Sequence, residues 1–157
     1  MSQLSVRQFF KLSALFISEP LLIFPTIRAT TKSIKICNNR FGNAHHKSNK
    51  ANAFRHALWN VLICMHAFKK TSNKKRALLW TQKVTTLYEK VTQNEAMDEA
   101  MDLHNNEVGR RLFSQDPTLT EAAYIQLLTD KMNTATQLKH GALYKLDKNL
   151  LVYISES

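Results

Sequence analysis

Glycine and proline are scarce in this chain, with three of each among 157 residues. Sandwiches and barrels turn their strands on such residues, and dinucleotide folds and phosphate-binding loops cluster glycines, so these classes are disfavoured. Cysteine is equally sparse. Cys37 and Cys64 lie in apolar helical stretches, without Cys-x-x-Cys or Cys/His knuckle spacing, so they read as two free, buried thiols and a structural zinc site has no support. Gly-x-Ser-x-Gly, calcium-loop and His-Glu-x-x-His patterns are missing as well. No apolar run reaches the ~18 residues that a spanning helix needs. The most apolar stretch, Phe9 to Phe24, is interrupted by Glu19-Pro20 and has no small-residue cleavage site, which argues against a removable signal. The expectation is a cytoplasmic protein as synthesised, with export by a dedicated system as the alternative.

Acidic residues are almost missing from one half. Residues 1–88 hold 15 Lys and Arg against Glu19 alone, whereas residues 89–157 hold 7 against 11, a balance of +14 against −4 in a chain of net charge +10. Such asymmetry suggests a face that meets phosphate, in a small molecule, a nucleic acid or an anionic lipid surface; the plain alternative is a solvated basic surface docked partly on the acidic half. Nucleic acid is the weaker option, because the aromatics are not interleaved with the basic runs and helix-turn-helix spacing is unpersuasive. Arg7 and Lys11 beside Phe9, Phe10, Leu12, Leu15 and Phe16 keep membrane-surface contact open.

What the chain does have is helical periodicity. With 44% hydrophobic residues it can bury a core, and it reads as one all-α domain over 1–157, a bundle of about six helices with a small C-terminal hairpin. Apolar positions predict helices over about 4–18, from Pro20 to about 38 with a break near Thr30-Thr31, and over 51–69, 73–92, about 95–113 and 118–138. Thr118 is the expected N-cap of the last, and His140-Gly141 a stop. Residues 40–50 read as the longest loop. Its His45-His46 pair is expected to be solvated, and His66 and His140 to lie at the surface or core edge.

Two helical stripes are more polar than their setting requires. Asn52, His56 and Asn60 recur every four residues with Arg55 and Trp59 beside them. Asp102, Asn105, Asn106, Gly109 and Arg110 share one side of another helix, where a glycine costs about 1 kcal/mol against alanine and paired asparagines lack a propensity reason. Joined across a helix pair, the stripes offer His56 as general base or nucleophile, oriented by Asp102 or Glu89, with Asn105 and Asn106 steadying developing charge. Arg55, Asn60 and Arg110 would bind an anionic, phosphate-containing substrate. A divalent metal on His56, Asp102 and Glu89 is an option, although the spacing selects no particular ion. The alternative is a buried network in which Asp102 holds Arg55 or His56 and the amides tie elements together.

The pairing of Asn52-Ala-Phe-Arg-His-Ala-Leu-Trp-Asn60 with Met101-Asp-Leu-His-Asn-Asn-Glu-Val-Gly-Arg110 resembles a small bacterial domain of unknown function. That family carries an Arg-His-x-x-Trp-Asn segment, a His-Glu-like element and a Met-Asp-x-x-Asn-Asn-x-x-Gly-Arg segment, and occurs alone or at the ends of larger, sometimes secreted or toxin-like, proteins. The resemblance covers about residues 40–113. It marks Arg55, His56, Trp59 and Asn60 in the first motif and Asp102, Asn105, Asn106, Gly109 and Arg110 in the second. The middle element falls at Tyr88-Glu89, where this chain has Tyr in place of His. The family brings no established reaction. The leading expectation is therefore a hydrolase or transferase acting on a phosphate-containing substrate, a lipid-linked one being an option, as a small effector or toxin. The alternatives are a non-catalytic binding module with a polar core and a nucleic-acid-binding protein or nuclease.

Overall fold

A computed structural model describes residues 13–92, 95–138 and 147–155. Among them the fold is an all-α bundle of six helices with a small two-stranded sheet. Residues 13–18 are helical (α1), and the part of the expected first helix before residue 13 lies outside the described residues. Pro20–Leu22 forms a 3-10 turn that leads directly into α2, Ile23–Phe41. α2 runs without a break at Thr30-Thr31. The hydroxyls of Thr26 and Thr30 bond back to the carbonyls of Leu22 and Thr26 at 2.7 and 2.9 Å, so these residues stay within the helix.

The loop is shorter than the sequence suggested. α2 extends to Phe41, Gly42 turns the chain at φ 55°, and a 3-10 turn occupies Ala44–His46. Asn49 then caps α3, Lys50–Thr71, its side chain accepting from the Asn52 amide at 3.1 Å. α3 is the axis of the bundle: it packs against α2, α4 (Lys74–Thr92), α5 (Ala96–Gln115) and α6 (Glu121–Asn133), and most of its residues are buried. Ser72, left-handed at φ 52°, ends α3, and Asn73 opens α4 by accepting from the Arg76 amide at 2.9 Å.

Gly109 sets how closely α5 crosses α3. A Cβ at this position would lie 2.2 Å from the Ala57 carbonyl oxygen, so only glycine lets the two backbones approach this far. The main core surrounds this crossing, with Phe54, Leu58, Leu62 and Phe113 fully buried. Cys37 and Cys64 are free and buried, and burial pushes their thiols up to about 11 and about 12.

Thr120, and not Thr118, caps α6, through the Ala123 amide at 3.2 Å; Thr118 instead turns onto Asp116. α6 ends at Asn133 because the chain there leaves for the sheet. Thr136–Gln137 (β1) pairs with Val152–Tyr153 (β2), Thr136 opposite Val152 and Gln137 opposite Tyr153. The pair is parallel, so the small C-terminal sheet is not a hairpin. Most of the expected first hairpin arm, and the expected stop at His140-Gly141, lie outside the described residues. β2 lies against α5 and α3, and Met101, Leu138, Val152 and Tyr153 form a second, smaller core there. No helix among the described residues is long and apolar enough to cross a membrane.

Candidate functional site

α3, α4 and α5 each deliver one ionisable group to the same point. His56 and Asp102 stand on the facing sides of α3 and α5, and Glu89 enters from the last turns of α4. His56 Nδ1 lies 3.3 Å from Glu89 Oε1, and His56 Nε2 lies 3.2 Å from Asp102 Oδ1, with all three residues buried. One ligand atom from each falls within 4.8 Å of the others, the spacing of a group that can hold a metal ion. Both carboxylates expected beside His56 are thus present.

The protonation pattern follows from the contacts. Arg55 Nη2 lies 2.7 Å from His56 Nε2, and a guanidinium only donates, so Nε2 is the acceptor in this contact and Nδ1 is the ring nitrogen that faces Glu89. An imidazole nitrogen has one lone pair, so a cation held between Nε2 and Asp102 Oδ1 would take the place of the Arg55 donor. Burial pushes the Asp102 carboxyl up to about 6; the neighbouring imidazole pulls it down and the charge of Glu89 adds to the rise. Glu89 Oε2 is buried without a hydrogen-bond partner among the described residues, and so is Arg55 Nε.

On its outer side the cluster meets a pocket of about 80 Å3 lined by Thr30, Ser33 and Ile34 of α2, Arg55, His56 and Trp59 of α3, and Tyr88 of α4. Trp59 is held in this wall by two contacts. Its Nε1 donates to Thr30 Oγ1 at 2.8 Å, and its ring meets that of Tyr88 edge-on at 5.2 Å between centroids. Trp80 is fixed in the same way by Thr26, at 2.8 Å. Burial raises the Tyr88 phenol, so it remains a hydrogen-bond donor at neutral pH.

On its inner side the cluster is backed by amides. Asn106 Nδ2 donates to Glu89 Oε1 at 2.8 Å, while Asn106 Oδ1 accepts from Asn60 Nδ2 at 2.6 Å. Asn60 Nδ2 also reaches the His56 carbonyl at 3.0 Å, and Asn60 Oδ1 accepts from Arg110 Nη1 at 2.8 Å and from Thr85 Oγ1 at 3.2 Å. Burial lowers the Arg110 guanidinium from its ordinary value, though it remains charged at any working pH. Asn105 points elsewhere: its carboxamide takes both backbone groups of Val152, at 2.9 and 3.0 Å, and pins β2 to α5.

Of the eight residues singled out in the sequence, Arg55, His56, Glu89 and Asp102 converge on one cluster, of which Arg55 and His56 line the pocket. Asn60, Asn106 and Arg110 stand behind them, and Asn105 faces the sheet. Thr30, Ser33, Tyr88 and Thr85 were not foreseen as participants. The signal for the first two was a pair of small polar residues three apart in an otherwise amphipathic helix. His45 departs from the solvated position expected of it, being fully buried with its Nε2 2.7 Å from Asn38 Oδ1. Burial lowers it to about 4, helped by the charges of His46 and Arg55. His66 is half-buried, as a core-edge residue.

The model of a family of domains of unknown function, DUF6973, matches residues 13–136, which is most of the chain. The chain belongs to this family. The match begins near the first described residue and ends in β1, so the DUF6973 domain takes in all six helices and extends well beyond the 40–113 stretch that carries the motifs. No curated protein matches the chain.

Proposed function

We propose that this DUF6973 domain is a hydrolase or transferase acting on a phosphate-containing substrate, with a divalent cation held by His56, Glu89 and Asp102. The buried cluster carries this reading: an imidazole and two carboxylates from three helices, one carboxylate oxygen without a partner among the described residues, with the imidazole lining a pocket. A mixed nitrogen and oxygen set suits zinc, manganese or iron better than calcium. Three protein ligands leave a position for water, as in catalytic rather than structural centres. A cation there would acidify that water and polarise a phosphoryl oxygen.

The protein's own groups complete the chemistry. Arg55, its Nε unengaged among the described residues, faces the anionic group and neutralises its charge. The water oxygen bonds to phosphorus as the ester oxygen departs and takes up a proton; in a transferase an alcohol replaces the water. Asn60, Asn106 and Arg110 hold Glu89 in position from behind and leave the reacting atoms to the outer groups. A pocket of about 80 Å3 admits only the reacting end of a substrate.

A second reading, a polar core that only fixes the fold, is favoured by the hydrogen-bonded chain from Arg110 through Asn60 and Asn106 to Glu89. Thermal unfolding separates the two. Manganese or zinc at about a hundred times its Kd should raise the melting temperature by roughly 5–10 °C, reversed by EDTA and absent in Glu89→Gln and His56→Ala. Metal-dependent release of nitrophenol from bis(p-nitrophenyl) phosphate, lost in the same variants, completes the test. No metal response together with large destabilisation in both variants would leave the structural reading standing.

A further inference from the structure

The first half of the molecule carries a surface that the site does not use. Along α2 and the turn before it, large apolar side chains face solvent: Leu21 is 57% exposed, Phe24 73%, Ile27 52% and Ile34 43%. Phe24, Ile27 and Ile34 are spaced by three and seven residues, one stripe along about 15 Å of helix. Monomeric proteins rarely leave such side chains together in water without a partner.

Cations border the stripe. Phe24, Leu21 and Pro25 share a groove of about 720 Å3 with Arg28 from the next turn of α2 and with Lys69 and Lys70 from the end of α3. Among the described residues none of these three cations forms an ion pair, whereas Glu19, the lone acid of residues 1–88, is held by Arg76 at 2.6 Å. Protruding apolar residues bordered by unpaired cations, with no acid lining the groove and the nearby Glu121 held by Lys32 at 2.6 Å, match the interface of an anionic bilayer. There the apolar tips enter the acyl boundary and the cations meet headgroup phosphates. A protein partner would have to supply both an apolar ridge and a collar of carboxylates.

We propose that the Leu21–Ile34 face docks on anionic lipid bilayers as a peripheral contact, with Phe24 and Ile27 inserted and Arg28, Lys69 and Lys70 on the phosphates. Ile34 also lines the mouth of the His56 pocket, so docking brings that mouth to the headgroup layer. Resting on the function proposed above, this makes a lipid-borne phosphate the substrate class. Docking itself does not depend on that reading and is measured without turnover.

The experiment is co-sedimentation of the full chain with vesicles of phosphatidylglycerol and phosphatidylcholine, against phosphatidylcholine alone. Binding is expected only with the anionic vesicles, falling as salt rises. Arg28→Gln, Lys69→Gln and Lys70→Gln together should weaken it about a hundredfold, since each basic side chain near such a surface is worth about fivefold. Phe24→Ser with Ile27→Ser should weaken it at least about tenfold. All five positions are exposed, and unchanged melting of the variants verifies the fold. Three results overturn the proposal. One is no binding to anionic vesicles. Another is binding untouched by the Phe24 and Ile27 changes, which would be mere adhesion of a basic protein. The third is a lipid-free dimer that those changes dissolve, which would make a second copy the occupant. Vesicle binding with a silent phosphodiester assay would keep the docking and discard the chemistry.

Discussion

The polar groups on the two sides of His56 differ in how completely they are used. Behind it, Asn60, Asn106, Thr85 and Arg110 form a chain in which both ends of each carboxamide are engaged, and Asn105 is consumed by β2. In front of it, Arg55 Nε is buried at the edge of a pocket and Glu89 Oε2 is buried beside the imidazole, both without hydrogen-bond partners among the described residues. A native interior satisfies its polar groups, and leaving one unmade costs about 1–3 kcal/mol. The satisfied side therefore reads as framework and the unsatisfied side as the place kept for a ligand. Stability and function should separate along the same line.

The sharpest break of that line is on the framework side. Gly109→Ala drives a methyl into the Ala57 backbone, where no side chain can yield, so α5 must move off α3. A loss of about 3 kcal/mol or more is expected in urea denaturation, with the metal response weakened as Asp102 moves away from His56. Asn106→Ala should follow at about 2–3 kcal/mol, because it strips partners from both Asn60 and a buried carboxylate, and added metal should not restore all of it. Arg55→Ala, on the ligand side, should cost about 1–2 kcal/mol, since it takes the donor from the buried His56 Nε2, while abolishing any stabilisation by inorganic phosphate in thermal shift.

The effect that is smallest in the wild-type protein, and the most diagnostic, is in pH. The Asp102 carboxyl is raised to about 6 from 3.8, so its contribution favours the folded state below about pH 4 and is lost as pH rises to about 6 in the metal-free protein. His45 is lowered to about 4 from 6.5, so its contribution is present above 6.5 and lost as pH falls towards 4. The two slopes oppose each other across the same window and flatten the wild-type curve. Asp102→Asn should uncover a plain fall in stability on acidification from 6.5 to 4, and His45→Gln a fall on going up from 4 to 6, both by urea titration. If both variants keep the wild-type curve, the buried environments assigned to these groups are wrong.

The helices were legible in the sequence because their signal is local. Apolar spacing placed four of them to within about three residues at either end, and the two polar stripes picked out His56 and Asp102 by spacing alone. Errors came where a competing local bond or a distant partner decided. Thr30-Thr31 looked like a break but bonds back into α2; Thr118 looked like a cap but Asp116 holds it; His45 sat among polar neighbours yet is buried against Asn38. The partner of β2 among the described residues is β1, which reaches it in parallel from the end of α6 and which no local pattern announced.

The sequence by itself determined the elements, the free cysteines, the charge imbalance and the residue types available for chemistry, since each follows from composition or from a period of 3.6 residues. The tertiary structure alone decided which of the polar residues meet. That Glu89 faces His56, that Asn105 turns to β2 while its neighbour Asn106 turns to Asn60, and that Tyr88 and Ser33 line the pocket depend on how helices cross. The closest crossing is set by one missing Cβ at Gly109, whose consequence appears only once α3 lies against it.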